Sequence, residues 1–179
     1  QSGTPELHIS GSHDPVAKSY SLSVRQSCPD TAGQRGFGPD KSKTDTHQKQ
    51  TEPVEIQNSK QNAQHSFQKQ LFHIPIALGL LSADGDTLPL KLTGSTAEKN
   101  QDTIILELRK QSENFVFEDV SVAPIPSLLR GFSAPVKLHF DYSNADLAFL
   151  RANGTDEFNR WEAGQQLMIR ISLEQIQRF

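Results

Sequence analysis

The chain is poor in cysteine, in tryptophan and in long apolar runs, and each shortage excludes something. Its 179 residues contain one Cys, one Trp and one Met. Cys28 has no second cysteine with which to form an internal disulfide, so a reducing, cytoplasmic compartment is the simpler interpretation. No run of about 18 apolar residues is present, so we expect no membrane partner.

Charge is spread too evenly for a nucleic-acid-binding surface. The net charge is -3 and the isoelectric point is about 6.1. Lysines and arginines do not gather into the basic stripe that contacts to phosphate groups require. We therefore expect no nucleic-acid partner.

The common catalytic motifs are also missing. A typical zinc peptidase carries H-E-x-x-H on a helix, where two histidines bind zinc and the glutamate acts as general base. None of the six histidines has that spacing. No G-x-S-x-G elbow is present, and the sequence implies no histidine partner for Cys28. We predict no catalytic, cofactor-binding or metal-ligating residue in this chain.

Weaker patterns have simpler structural explanations. His8, His13 and Asp14 lie close in sequence, but a metal site would need further ligands, so we expect solvated side chains.

A glycine-rich patch, Gly33, Gly36 and Gly38 around Phe37, matches neither a dinucleotide fingerprint nor a P-loop, and we expect a flexible loop. Asn153-Gly154-Thr155 is a formal glycosylation acceptor, which helix-boundary chemistry explains better.

What is present is alternation of apolar and polar residues, which marks about seven short strands. The apolar positions are, strand by strand, Leu7 and Ile9; Tyr20, Leu22 and Val24; Ile74, Ile76, Leu78 and Leu80; Leu88, Leu90 and Leu92; Ile104, Leu106 and Leu108; Phe115 and Phe117; Val136, Leu138 and Phe140. Pro75 lacks a ladder donor, so we expect an edge position or a bulge there. The pattern is typical of an immunoglobulin-like antiparallel β-sandwich, which makes the fold mainly β with a short C-terminal helical appendage.

Helical signals follow the last strand. Ser143 with Asp146 predicts an N-terminal capping box, and Asn153-Gly154 predicts a left-handed stop. A second helix begins near Asp156 and carries an apolar stripe, made of Phe158, Trp161, Gln165, Met168, Ile169 and Leu173. Two helices offer little to cover that stripe, so we expect it to be partly exposed and prone to self-association.

Composition divides the chain. Residues 35–69 are polar and aperiodic, which predicts an exposed, mobile insertion. We expect a sandwich domain at 1–142 that contains this insertion, and the first helices of an α-helical domain at 143–179.

Two single residues stand out. Arg130 has apolar neighbours, which predicts partial burial and pairing with a carboxylate or with backbone carbonyls. The simpler interpretation is an arginine that pins the loop before the last strand; the functional one is a contact with another domain. Trp161 is expected to be a packing anchor rather than a binding residue.

Long collinear runs carry a family resemblance. PIPSLLRGFSAPVKL followed by DEFNRWEAGQQL resembles the third, β-sandwich domain and the start of the fourth, helical domain of bacterial alanyl aminopeptidase N, a gluzincin zinc metallopeptidase. QSGTPELHIS resembles the entry into that sandwich, and QKQLFHIPIALGLL resembles its central strand. The resemblance covers residues 1 to about 34 and about 69 to 177, whereas the family's connection at 35–69 is much shorter.

The resemblance implies a non-catalytic linker or scaffold segment of an enzyme that removes N-terminal residues such as Ala from peptides. It implies zinc in the parent and none in this segment. The implied partners are the catalytic and helical domains of the same parent chain and the parent's peptide substrates. The alternative is an independent binding module that presents the 35–69 loop to a partner protein, and a sugar-binding sandwich is a weaker third hypothesis.

Overall fold

The structure is a computed structural model that describes residues 3–29, 71–95 and 101–177. Within these ranges the secondary-structure elements are β1 Glu6–Asp14, β2 Ser19–Ser27, β3 Ile74–Leu81, β4 Lys91–Leu92, β5 Ile104–Leu108, β6 Ser112–Glu118, β7 Ile125–Leu128, β8 Lys137–His139, α1 Asn144–Asn153 and α2 Glu157–Ile176. The predicted insertion at 35–69 lies outside the described residues.

The strands form two sheets. The larger has the order β4-β6-β2-β1-β8 and the smaller the order β5-β3-β7. The prediction of a mainly β, immunoglobulin-like sandwich with a helical appendage is confirmed. The predicted antiparallel pairing fails at one place among these strands, because β8 joins β1 in parallel.

Apolar side chains from both sheets meet in one core, which the helices share through Leu147, Leu150 and Ala163. Alternation holds in β2, where Tyr20, Leu22 and Val24 are buried. It is lost in β3, where every residue from Ile76 to Leu81 is buried. This strand is covered on both faces, since its side chains share the core with those of the larger sheet and the turn at Arg130–Phe132 contacts it as well. Burial on both faces produces a continuous apolar run.

Three strand predictions need correction, and that for Pro75 holds locally. The fourth strand is shorter than predicted, because only Lys91–Leu92 pairs with β6. The last strand has three residues, Lys137–His139. β7 was not predicted, since its sequence, IPSL, does not alternate. Pro75 lies in the central strand of its sheet, but β7 pairs with β3 only from Leu78 onward. The proline therefore occupies a locally free edge, where the absence of its N–H leaves no neighbouring strand without a hydrogen-bond donor.

A buried glutamine links the two described segments on either side of residues 30–70. The side chain of Gln26, which is 3% exposed, accepts from Phe72 N at 2.9 Å and donates to Phe72 O at 2.9 Å. It also donates to Lys110 O at 2.9 Å. The end of β2 is thereby held beside the approach to β3, and nothing in the sequence pattern predicts this contact.

The helix boundaries follow the predicted caps, with one exception. Ser143 and Asp146 form a capping box on α1, and the side chain of Asp156 caps α2. Gly154 ends α1 with φ −57° and ψ 136°, so the predicted left-handed stop is wrong. Its N–H still satisfies Leu150 O. Among the described helices, neither has the length and apolarity needed to cross a bilayer.

The two buried tyrosines should make the fold less stable at alkaline pH. Burial raises the pKa of Tyr20, and burial followed by the charge of Tyr20 raises the pKa of Tyr142. Below the ordinary tyrosine pKa of about 10 both are neutral in either state, so their contribution to stability is complete. Above it the unfolded chain releases protons that the native chain retains. We expect the free energy of unfolding to fall by up to about 1.4 kcal/mol per pH unit for each tyrosine.

This expectation is measured by urea unfolding at a series of pH values above about 9. Tyr20→Phe and Tyr142→Phe keep the rings and remove the ionisable groups. In each variant the free energy of unfolding should therefore fall less steeply with pH than in the unmutated chain. Equal declines in the unmutated chain and in the double variant would contradict the assignment, because groups other than the two tyrosines would then account for the effect.

Candidate functional site

Arg130 occupies the turn between β7 and β8. Leu129, Gly131 and Phe132 all have left-handed backbones, with φ of 56°, 59° and 55°. This geometry sends the Arg130 side chain inward, where the residue is 7% exposed. Phe132 points outward instead and packs on Phe158 of α2, with ring centroids 5.3 Å apart.

The guanidinium of Arg130 joins three parts of the chain. Nη1 donates to Asp102 O and, at 2.8 Å, to Thr103 Oγ1, both just before β5. Nη2 donates to Thr155 Oγ1, between the two helices. All of these acceptors are neutral, and Nε has no hydrogen-bond partner among the described residues. Sequence analysis predicted partial burial and pairing with a carboxylate or with backbone carbonyls. The carbonyl of Asp102 fits that prediction, and the two threonine hydroxyls are additional.

Gly79 makes room for this arginine. A Cβ at position 79 would lie 2.9 Å from Asp102 O and 3.1 Å from Arg130 Cζ, and closer still to Nη1. A Cβ less than 3.0 Å from the carbonyl oxygen of Asp102 would force one of the two groups to shift. Position 79 of the smaller sheet therefore needs glycine, because the guanidinium of Arg130 lies against it.

Two more side chains hold β7 from the helical side. Asn159, which is 8% exposed, donates from Nδ2 to Ser127 Oγ at 2.7 Å and to Leu128 O at 2.9 Å. Tyr142 donates its hydroxyl to Pro126 O at 2.7 Å. We call Arg130, Asn159 and Tyr142, together with β7, the joint.

The cap of α2 belongs to the same network. Asp156 accepts from Asn159 N through Oδ1 at 2.9 Å and from Gly131 N through Oδ2 at 3.0 Å. One carboxylate thus caps the helix and grips the turn that carries Arg130. The hydrogen bonds of the joint hold the helices on the sandwich.

Sequence reasoning found Arg130 but missed Asn159. A signal was present, since Asn159 and Ala163 are one turn apart and both are buried on α2. An amide among small residues on a helix face indicates a buried polar contact. The buried residues of α2 are Asn159, Ala163 and Gly164, beside which the partly buried Leu167 packs on the core, so most of the apolar stripe lies on the other side of the helix.

The predicted stripe faces outward. The exposed large apolar residues of α2 are Trp161, Met168, Ile169, Ile171, Leu173 and Ile176. Trp161 is 56% exposed and touches Phe158 with ring centroids 6.1 Å apart, so its interpretation as a packing anchor is wrong. The predicted exposure of the stripe is confirmed; its self-association stays a prediction.

The histidines are arranged differently from their order in the sequence. His13 contacts Val120 O at 3.0 Å through Nε2, and Asp14 accepts from Val16 N and Ala17 N in a turn. A shared site of these two residues with His8 is therefore not formed.

His8 instead meets Glu6 and His139. These three residues offer ligand atoms within 4.8 Å of one another. Among the described residues, this is the group of three ligand-bearing side chains that lie close enough to share a metal ion.

Other predicted features fall elsewhere. Gly33, Gly36, Gly38 and Phe37 lie outside the described residues, as does the 35–69 loop on which the binding-module hypothesis depends. Asn153-Gly154-Thr155 lies between the helices, where the Thr155 hydroxyl is engaged by Arg130.

Family profiles cover most of the chain in two parts. Residues 39–141 match a domain of unknown function, DUF3458, described as having an Ig-like fold. Residues 144–178 match its companion DUF3458_C, described as ARM repeats.

Full-length relatives are much longer than this chain. It is 30% identical over 168 residues to aminopeptidase N of Escherichia coli, covering 94% of this chain and 15% of that protein. It is 31% identical over 179 residues to aminopeptidase N of Haemophilus influenzae, covering 100% of this chain and 16% of that protein.

A solved structure shares the architecture. The crystal structure of Legionella pneumophila aminopeptidase A in complex with aspartic acid superposes with a TM-score of 0.60 at 27% identity, covering 93% of this chain and 14% of that one. The chain therefore belongs to the DUF3458 family of Ig-like domains and, with its helices, corresponds to a segment of aminopeptidase N-like proteins.

Proposed function

We propose that this chain is a non-catalytic scaffold segment of an aminopeptidase, in which the sandwich sets the position of the helical domain relative to the catalytic domain. The joint is the observation that carries the proposal. Buried polar contacts on both sides of β7 fix α1 and α2 on the sandwich, and such contacts are costly to break. A rigid joint is what a spacer between two domains requires.

The exposed face of α2 supports the same role. ARM-type repeats stack helix pairs so that each pair is covered by the next. An apolar face on the last described helix matches a pair that lacks its neighbour. The partners in this proposal are the helical and catalytic domains of the same parent chain. We place the enzyme in the cytoplasm and the boundary between the sandwich and the helical domain at residue 142.

Hydrolysis is assigned to the parent. A gluzincin binds zinc through H-E-x-x-H on a helix, a motif that this sequence lacks. Glu6, His8 and His139 lie on strands and do not reproduce it. The zinc and the peptide substrates of the parent therefore belong to the proposal for the whole enzyme, and no step of the reaction is assigned to these residues.

A segment exchange tests the scaffold role. The matching segment of Escherichia coli aminopeptidase N is replaced by this chain, and a second version lacks the segment altogether. We expect the chimera to keep kcat/KM for an alanyl chromogenic amide within about tenfold of the parent, and the deletion to be inactive. The isolated chain with zinc should give no turnover.

Two outcomes would refute the proposal. One is saturable, chelator-sensitive hydrolysis by the isolated chain. The other is a chimera that is monomeric and folded by gel filtration and circular dichroism yet as inactive as the deletion. A chimera with Arg130→Ala provides a graded control, since it should lose activity at a lower temperature while its KM at low temperature is unchanged.

A further inference from the structure

We propose that Glu6, His8 and His139 bind a divalent transition-metal ion, with Zn²⁺ as the expected occupant, on the outer face of the larger sheet. The site departs from the sequence-based expectation of no metal ligands and does not depend on the scaffold role. The pairing of β1 with β8 creates it. Glu6 is opposite Lys137, and His8 is opposite His139, in a parallel register.

The backbone presents the three side chains together. Leu7 is fully buried, so its neighbours Glu6 and His8 project to the other face of β1, as successive strand residues do. His139 extends from the neighbouring strand beside His8. Ligands on paired strands are held more firmly than ligands on loops, which reduces the entropy lost on binding.

The two oxygens of the Glu6 carboxylate lie near different residues. Oε2 lies 3.5 Å from His139 Nε2, whereas Oε1 lies 3.5 Å from Lys137 Nζ. A metal ion can therefore take Oε2 while the ammonium group of Lys137 keeps Oε1. The side chains of Glu6 and His139 are 25% and 48% exposed, so an ion has access to both.

Binding requires a small movement of the rings. His8 and His139 are stacked with centroids 4.4 Å apart and planes 7° from parallel. A metal ion lies in the plane of each imidazole that binds it, so parallel rings cannot share one without tilting. Zn–N bonds of about 2.0–2.1 Å place tetrahedral ligands about 3.3 Å apart. Rotation about the side-chain torsions would bring the ligand atoms, which now lie within 4.8 Å of one another, to that distance.

The donor set selects the ion. Two imidazoles and one carboxylate suit Zn²⁺ and its transition-metal neighbours, whereas Ca²⁺ and Mg²⁺ prefer oxygen ligands. Three protein ligands leave a fourth position for water. His8 and His139 also line a cleft of about 710 Å³, together with Ser10, Arg25 and Asp141.

The ion would join an edge strand to the sheet. β8 has three residues, pairs with β1, and leads directly into the helices. A metal bridge from β1 to His139 therefore strengthens the route from the sandwich to the joint. Because the ion binds the native chain, added zinc should raise the unfolding temperature.

Zinc titration of the full chain tests the proposal. The starting chain carries His47→Gln and His65→Gln, which remove the histidines outside the described residues. Zn²⁺ affinity is measured by competition with a chromophoric chelator, and Co²⁺ absorption reports the coordination. We expect one bound ion, and at least about a tenfold loss of affinity in Glu6→Gln, in His8→Gln and in His139→Gln.

His73→Gln is the matched control. His73 Nε2 lies 3.7 Å from Glu107 Oε2, so this pair has one histidine and one carboxylate without a second imidazole. Its loss should change neither the affinity nor the zinc-dependent rise in unfolding temperature. Zinc-free unfolding curves establish that each variant folds. Failure of the starting chain to bind zinc, or unchanged affinity in any of the three ligand variants, overturns the three-ligand assignment.

Discussion

Replacing Arg130 by Ala is expected to lower the free energy of unfolding by about 2–4 kcal/mol. The substitution removes the hydrogen bonds to Asp102 O, Thr103 Oγ1 and Thr155 Oγ1. It leaves those acceptors without their charged donor and opens a cavity in the joint. Each effect acts on the contact between the helices and the sandwich, so the helices should lose their support first.

Fluorescence separates the two parts of the molecule. Trp161 is the single tryptophan of the chain and lies on α2, whereas far-ultraviolet circular dichroism reports both parts. In the unmutated chain, urea unfolding should give coincident curves by fluorescence and by circular dichroism. In Arg130→Ala the Trp161 transition should precede the other, which is the signature of lost two-state behaviour.

Three comparisons isolate the cause. Arg109→Ala removes an arginine whose side chain is 66% exposed in an ion pair with Glu107, and it should change stability by less than about 0.5 kcal/mol. Arg130→Lys should rescue little, because an ammonium group lacks the planar fork that spans both sets of acceptors. Thr155→Val should be non-additive with Arg130→Ala, since each removes the same hydrogen bond between Arg130 and Thr155. A loss in Arg130→Ala no larger than in Arg109→Ala would show that the joint carries no stability.

Replacing Gly79 by Ala is expected to cost about 1–3 kcal/mol, although alanine is normally favoured over glycine in a strand. The added Cβ would meet Asp102 O at 2.9 Å and the guanidinium of Arg130. The main chain of Asp102 cannot yield cheaply, and Arg130 is held by its hydrogen bonds. Chemical denaturation measures the loss.

Gly131→Ala is the control for this prediction. Position 131 has φ of +59° and open space where a Cβ would lie, so the substitution should cost only about 1–2 kcal/mol of left-handed strain. Combining Gly79→Ala with Arg130→Ala should recover part of the Gly79→Ala cost, because the guanidinium no longer occupies the space. A fully additive double variant would be inconsistent with crowding at Arg130.

Local patterns predicted most of the elements. Alternation in β2 and in β5 reflects strands with one face on the core, where the period of two is imposed by the pleat. The capping box at Ser143 and the start of α2 at Asp156 are local hydrogen bonds, which depend on residues only three apart. Such features can be read without knowing what packs where.

Contacts between distant residues could not be predicted in this way. β7 is covered on both faces and so loses its alternation, and Asn159 finds its partners 31 and 32 residues away. Alternation places His139 on the polar face of its strand, but only the parallel pairing brings it beside His8. Trp161 and its stripe follow the expected helical spacing, but the helix packs through Asn159, Ala163 and Gly164.

The sequence by itself determined the class of fold, the two helix starts, the burial of Arg130 and the absence of the H-E-x-x-H motif, because these depend on residue type and short-range spacing. The tertiary structure decided which strand pairs with which, which side of α2 is covered, and that Glu6, His8 and His139 share one surface. Those outcomes depend on the register between strands far apart in the chain. Such a register is selected by burial summed over the whole core, and no short segment encodes it.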